Sequence, residues 1–232
     1  MTDDEQSFRI TRETLRNGTL IDAARRRVPP GMRVRTDTEI EACLHTMLAE
    51  HPSQEDVWLF GYGSLMWNPA MHFAERRGGR VLGWRRKYCL WLEAGRGSPE
   101  NPGLMLGLDR GGTAAGALFR VPADQAHAEL LLPFRRELFT YSYEARWVSV
   151  TTSQGLVRAV TFIVNREGPR YIRRLDLDRV AHHVATASGG LGSCLEYLHR
   201  TIESLDLLGL NDTMLREVHR LCTLRAAASL CC

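Results

Sequence analysis

Lysine is almost missing from this chain: Lys87 stands alone among 30 basic residues, set against 27 acidic ones for a formal charge of +3. So small an excess does not argue for a polyanionic partner, and arginine suits recognition of carboxylates through its planar fork. Long apolar runs are missing too; no uncharged stretch reaches the roughly 18 to 20 residues that span a bilayer. The first twelve residues are polar and acidic, without the apolar core of an export signal. The six cysteines form no C-x-x-C pair and no metal-ligand spacing, which argues against a redox dithiol or a zinc site and for a reducing compartment. No repeat appears at a solenoid period. These absences predict a cytoplasmic protein that works on an anionic small molecule without metal, cofactor, membrane or nucleic acid. They leave its oligomeric state open.

What is present reads as an ordinary packed protein, with 44% apolar and 25% charged residues in 232 positions, enough for one core. Three regions are expected: an arm and helix over 1–50, a main domain over 51–225 and a tail over 226–232. Residues 1–35 show no sustained apolar period, and the run Arg25-Arg26-Arg27 with Pro29-Pro30 suggests an arm that wraps the domain or stays mobile. Three arginines in a row more often neutralise nearby acids than contact nucleic acid. Thr36 with Glu39 forms a capping signature ahead of a helix to Leu48, and Val57–Phe60 reads as a short buried strand. The spacing then predicts strands over 80–84, 87–92, 104–108, 114–121, 145–152 and 156–164. A helix over 123–139 carries Leu130, Leu131, Phe134 and Leu138 on one stripe, with Pro133 expected to kink or end its first part. Helices over 176–187, 193–208 and 211–224 follow. The class is therefore α+β, a small mixed barrel flanked by helices and closed by C-terminal ones.

Four segments could carry chemistry. Gly61-Tyr62-Gly63-Ser64-Leu65 ends a buried strand, and glycines at 61 and 63 allow a sharp turn whose N–H groups converge on a carboxylate or an oxyanion. A plain strand-to-loop turn reads equally well. It lacks the third glycine of a dinucleotide fingerprint and the lysine of a P-loop. Glu137, closing the leucine stripe after Arg135-Arg136, would act as a base if desolvated; an exposed Glu paired with its neighbouring Arg is the plainer reading. Tyr141 and Tyr143 could bond a substrate or pack at a strand start. Arg96, in the glycine-flanked loop 94–103 with Arg86 upstream, could clasp a carboxylate, and a solvated hairpin tip reads equally well. His182-His183 point about a hundred degrees apart on a helix and cannot share a metal. Ser64 lacks the second glycine of a nucleophile elbow.

The run Trp58-Leu59-Phe60-Gly61-Tyr62-Gly63-Ser64-Leu65-Met66-Trp67-Asn68-Pro69 resembles the opening of the ChaC proteins, the glutathione-specific gamma-glutamylcyclotransferases. The likeness continues through Gly83-Trp84-Arg85-Arg86, Arg96-Gly97-Ser98, Pro102-Gly103, Arg136-Glu137 and Glu196-Tyr197-Leu198, covering about 56–222. The resemblance implies a gamma-glutamylcyclotransferase-like barrel that converts glutathione to 5-oxoproline and cysteinylglycine. It implies that Glu137 is catalytic and that the turn Tyr62, Gly63, Ser64, Leu65 binds the glutamyl portion, and a family tyrosine six residues beyond the glutamate falls on Tyr143. Arg96 and Arg86, suited to a carboxylate, lie in the shared runs and are expected to bind substrate too. Thr140-Tyr141-Ser142 departs from the glycines of some relatives at that pocket wall. Two other readings stand beside it: a non-catalytic protein on the same barrel that holds a small acid or a partner, and a hydrolase using Ser64.

Overall fold

The computed structural model describes residues 9–28 and 32–229, so Pro29-Pro30 and Cys231-Cys232 lie outside the described residues. Strand β1 (Val57–Gly61) is apolar almost throughout because both its edges are bonded. It runs antiparallel to β3 (Gly103–Val121) and parallel to β5 (Gly155–Val164). With β2 (Glu75–Leu92) and β4 (Tyr143–Thr152) these strands close a barrel in the order β1-β3-β2-β4-β5. The mixed barrel is the one the sequence predicts.

Its strands are longer than expected. The predicted pairs 80–84 with 87–92, and 104–108 with 114–121, are two continuous strands of 18 and 19 residues. Register shifts at Leu82/Trp84 and Tyr88/Leu90 bend β2 without ending it, and the first is made at Gly83, whose φ of 81° suits only glycine. Residues left between the predicted strands are paired in the ladder: Asp109 lies opposite Arg85, is 1% exposed, and accepts from Arg166 at 2.6 Å and from Tyr171 at 3.1 Å.

The N-terminal arm wraps the barrel as helices α1 (Arg12–Arg16) and α2 (Thr19–Arg26), too short for periodicity to reveal. Leu15, Leu20 and Ile21 enter the same core as Ile40 and Leu44 of α3 (Asp37–Ala49). Arg12 clasps Glu129, and Arg25 pairs with Asp22 at 3.3 Å and Asp37 at 2.8 Å, so this arginine neutralises local acids. Helix α4 (Ala126–Leu138) runs through Pro133 rather than stopping there. One backbone hydrogen bond is lost, and burial of Leu130, Phe134 and Leu138, with Phe134 edge-on to Phe162 at 5.2 Å, offsets it. Helices α5 (Leu177–Thr186), α6 (Cys194–Asp206) and α7 (Thr213–Ser229) complete the chain, the last continuing beyond Leu224. Among the described residues no helix is long and apolar enough to cross a membrane.

Candidate active site

Strand β1 hands the chain into a short 3-10 turn over Ser64–Met66. Tyr62 is pinned at both ends: its hydroxyl donates to the Phe162 carbonyl at 2.8 Å, and its own carbonyl accepts from Arg86 Nε at 2.7 Å. Gly63 is required by contact rather than by dihedral angle. A Cβ there would stand 2.6 Å from the Tyr197 hydroxyl, closer than any side chain tolerates. Met66 N and Asn68 N close the turn onto Gly63 and Ser64, while the N–H groups of Gly63, Ser64 and Leu65 make no hydrogen bond among the described residues. Three free donors on one bend form the kind of concavity that receives an anion.

Helix α4 brings its last turn to the same place. Arg136 donates to Ser64 Oγ and, at 2.6 Å, to the Asn68 carbonyl, which ties the helix to the bend. Its Nε lies 3.0 Å from Glu137 Oε1, and the Glu137 side chain is only 15% exposed. Burial raises the proton affinity of Glu137 and the Arg136 cation only partly opposes this, so the carboxyl titrates above its ordinary range. Burial also pushes the phenols of Tyr62, Tyr143 and Tyr197 upward, and the nearby Glu137 charge adds to the shift. All three hydroxyls therefore stay protonated.

These groups line one cavity of about 230 Å³. Tyr62, Gly63, Ser64, Leu65, Arg96, Glu137 and Tyr143 all face it. Tyr143 donates to the Leu106 carbonyl at 2.7 Å, which fixes its ring as a wall. Arg96 is buried, donates to the Ser193 carbonyl at 2.7 Å, and reaches only weakly to Glu196 at 3.5 Å. Its loop needs glycine for close approach: a Cβ on Gly97 would meet Gly103 N at 2.2 Å. Thr140 and Ser142 line the same wall, while Tyr141 turns away to donate to Glu39.

Arg86 does not join them. Its side chain is fully buried behind the bend, bonded to the Tyr62 carbonyl, the Ala115 carbonyl and the Asp212 carboxylate. The sequence places it near the motif, but β2 turns it toward the barrel's outer layer. Removing it leaves the Asp212 carboxylate without its cation, with Leu215 N as its remaining donor among the described residues, and takes a donor from two carbonyls. Arg86→Leu is expected to cost about 3–5 kcal/mol of stability, read as a lower urea midpoint; an unchanged midpoint would contradict this supporting role.

Sequence reasoning assigned no role to Tyr197, Trp67 or Arg170, which also line the cavity. Tyr197 belongs to the buried stripe of α6 with Cys194, Leu198 and Thr201, so its pattern is that of a core residue. Trp67 Nε1 is buried without a partner among the described residues. Tyr197 and Trp67 both stand in runs that carry the family likeness, which is the signal that could have found them; that they face one cavity depends on the fold. The thiols of Cys89 and Cys222, pushed up to about 12 and about 11 by burial, are unsuited to nucleophilic work. The cavity thus offers anion-binding donors, three arginines (Arg96, Arg136 and Arg170) and one proton-seeking carboxyl.

Residues 57–224 match the family described as ChaC-like protein. A glutathione-specific gamma-glutamylcyclotransferase of Escherichia coli (strain K12) is 39% identical over 178 residues, which is 76% of this chain and 77% of that protein. A glutathione-specific gamma-glutamylcyclotransferase 1 of Mus musculus is 30% identical over 159 residues, 66% of this chain and 71% of that one. The crystal structure of a gamma-glutamyl cyclotransferase specific to glutathione from yeast superposes with a TM-score of 0.66 at 18% identity, covering 72% of this chain and 96% of that chain. The fold is shared, the bend and the Arg136-Glu137 pair sit inside the matched region, and the chain belongs to the ChaC-like family.

Proposed function

We propose that the protein cleaves glutathione to 5-oxoproline and cysteinylglycine, with Glu137 as the acid–base group. The observation that carries this is a desolvated carboxyl and a bend with free N–H groups in one small cavity. The names of the relatives supply the substrate; the residues supply a workable route.

The glutamyl α-amine attacks its own γ-carbonyl carbon, a C–N bond forms to close the five-membered ring, and the amide C–N bond to cysteine breaks. Holding amine and carbonyl together is the larger part of the task, because orientation alone can supply several kcal/mol of barrier reduction, about 7 to 11 at most. The ammonium must first lose a proton, which Glu137 accepts and returns to the departing amine. The 63–65 N–H groups and Arg96 hold carboxylate or the oxygen that turns negative in the tetrahedral state. Tyr62, Tyr143 and Tyr197 remain neutral and shape the walls.

Incubation of the purified protein with glutathione should yield 5-oxoproline and cysteinylglycine in equal amounts. Free glutamate in place of 5-oxoproline would identify hydrolysis and defeat the reading. Equal rates on gamma-glutamylalanine would defeat the tripeptide specificity alone. No histidine lines the cavity among the described residues, so Ser64 has no base of the usual kind; its hydroxyl accepts from Arg136. Ser64→Ala is accordingly expected to keep turnover within about tenfold, one lost hydrogen bond to a charged group, whereas abolished turnover would favour a covalent route.

A further inference from the structure

A second, larger cavity of about 1150 Å³ opens on the other side of β2, between the strand and the starts of α5 and α7. Its lining is strongly cationic. Arg80, Arg85 and Lys87 come from β2, Arg173 and Arg174 from the approach to α5 and Arg179 from its first turn, with Arg86 beneath. Two carboxylates, Asp176 and Asp212, face these seven basic groups, so the lining is more positive than the whole chain at +3. Both carboxylates are already engaged. Asp176 accepts from Arg179 N at 2.8 Å to cap α5, and Asp212 is paired with Arg86. Lys87 donates to the Arg173 carbonyl at 2.7 Å and, with Arg85, stands about the buried Asp109. Among the described residues the side chains of Arg80, Arg173, Arg174 and Arg179 make no ion pair and no hydrogen bond.

Tyr88 also lines the cavity, but it is 2% exposed and its hydroxyl is closed off from any ligand there. The first residues of α7, Thr213 and Met214, also face the cavity, and Asp212 caps that helix by accepting from Leu215 N at 3.1 Å.

We propose that this cavity binds a phosphorylated small molecule carrying at least two negative charges, separately from the glutamyl site. Unpaired guanidinium forks match phosphate oxygens in pairs, and the clustering of four such groups concentrates a field that one carboxylate would not need. The concave shape and volume leave room for an organic portion beside the phosphates. The site requires nothing of Glu137, so it stands whether or not the reading of the first cavity does.

Inorganic pyrophosphate is the probe, titrated calorimetrically into the wild-type protein at low and at moderate salt. Saturable binding at one site, weakening as salt rises, is expected. The double variant R173E/R174E should bind at least about tenfold more weakly, the loss of one or more charge-assisted contacts, with unchanged melting and unchanged glutathione turnover. A control of equal charge, R26E/R158E, lies away from the cavity and should bind nearly as wild type. Tyr88→Phe, which alters no charge and removes only a sealed hydroxyl, should bind nearly as wild type. Absence of saturable binding, or equal weakening in the two double variants, would overturn the assignment. So would a single-stranded oligonucleotide that outcompetes pyrophosphate through the same arginines.

Discussion

Glu137→Gln is expected to lower turnover of glutathione by about a hundredfold to ten-thousandfold, the usual worth of a positioned acid–base group, while KM changes little. The amide keeps the size and the hydrogen-bonding edge beside Arg136 but takes no proton. Stability should move the other way. The folded-state affinity of Glu137 for protons is raised, so its contribution is favourable below the unfolded pKa and is lost as pH rises through the folded one. At neutral pH the charged carboxylate is held in a desolvated place, and the neutral amide relieves that cost. The variant should therefore melt no lower than wild type near neutrality, and the comparison should turn less favourable to it in acid. A slow enzyme that is no less stable separates a functional carboxyl from a structural one. Near-normal turnover would remove Glu137 from the chemistry.

Gly63→Ala should be nearly as damaging for a steric reason. The added methyl would stand 2.6 Å from the Tyr197 hydroxyl oxygen, so either the bend or α6 must move. A displacement of about 1 Å at a positioned group can cost about a hundredfold in rate, and a loss of that order in kcat/KM is expected, with a lower melting temperature. Adding Tyr197→Phe removes the atom that is struck and leaves the ring carbon at 3.7 Å, an ordinary contact. Recovery of the melting temperature in the double variant would identify the collision as the cause; no recovery would place the strain elsewhere in the bend.

The parts of this molecule legible in the sequence are those set by local chemistry. The Thr36–Glu39 capping box starts α3 where the pattern predicts, and Val57–Gly61 reads as a buried strand because it is one. The spacing breaks the long β2 and β3 at Arg85 and at Asp109, whereas here a buried Asp109 gathers partners from Arg166 and Tyr171, far along the chain. At Pro133 the helix does not end, because packing around Phe134 outweighs one missing hydrogen bond. At the site, the bend and Glu137 are legible through a motif, and Arg96 through its glycine-flanked loop. Arg86 and Tyr197 exchange places between expectation and structure. One lies in the motif's reach but faces the wrong side of β2, and the other looks like core but roofs the cavity. Which face of a strand or helix meets a cavity depends on closure of the barrel, and no local pattern encodes that.

Every step of the proposed reaction waits on the proton affinity of one side chain. Carbon-13 NMR of glutamate-labelled protein, with Glu137 identified by its disappearance in Glu137→Gln, would follow that carboxyl directly as pH is changed. The account predicts an inflection above the ordinary glutamate range, coinciding with the acid limb over which kcat/KM for glutathione falls as pH is lowered. A Glu137 signal that titrates like an exposed glutamate, with the rate indifferent to it, would contradict the account.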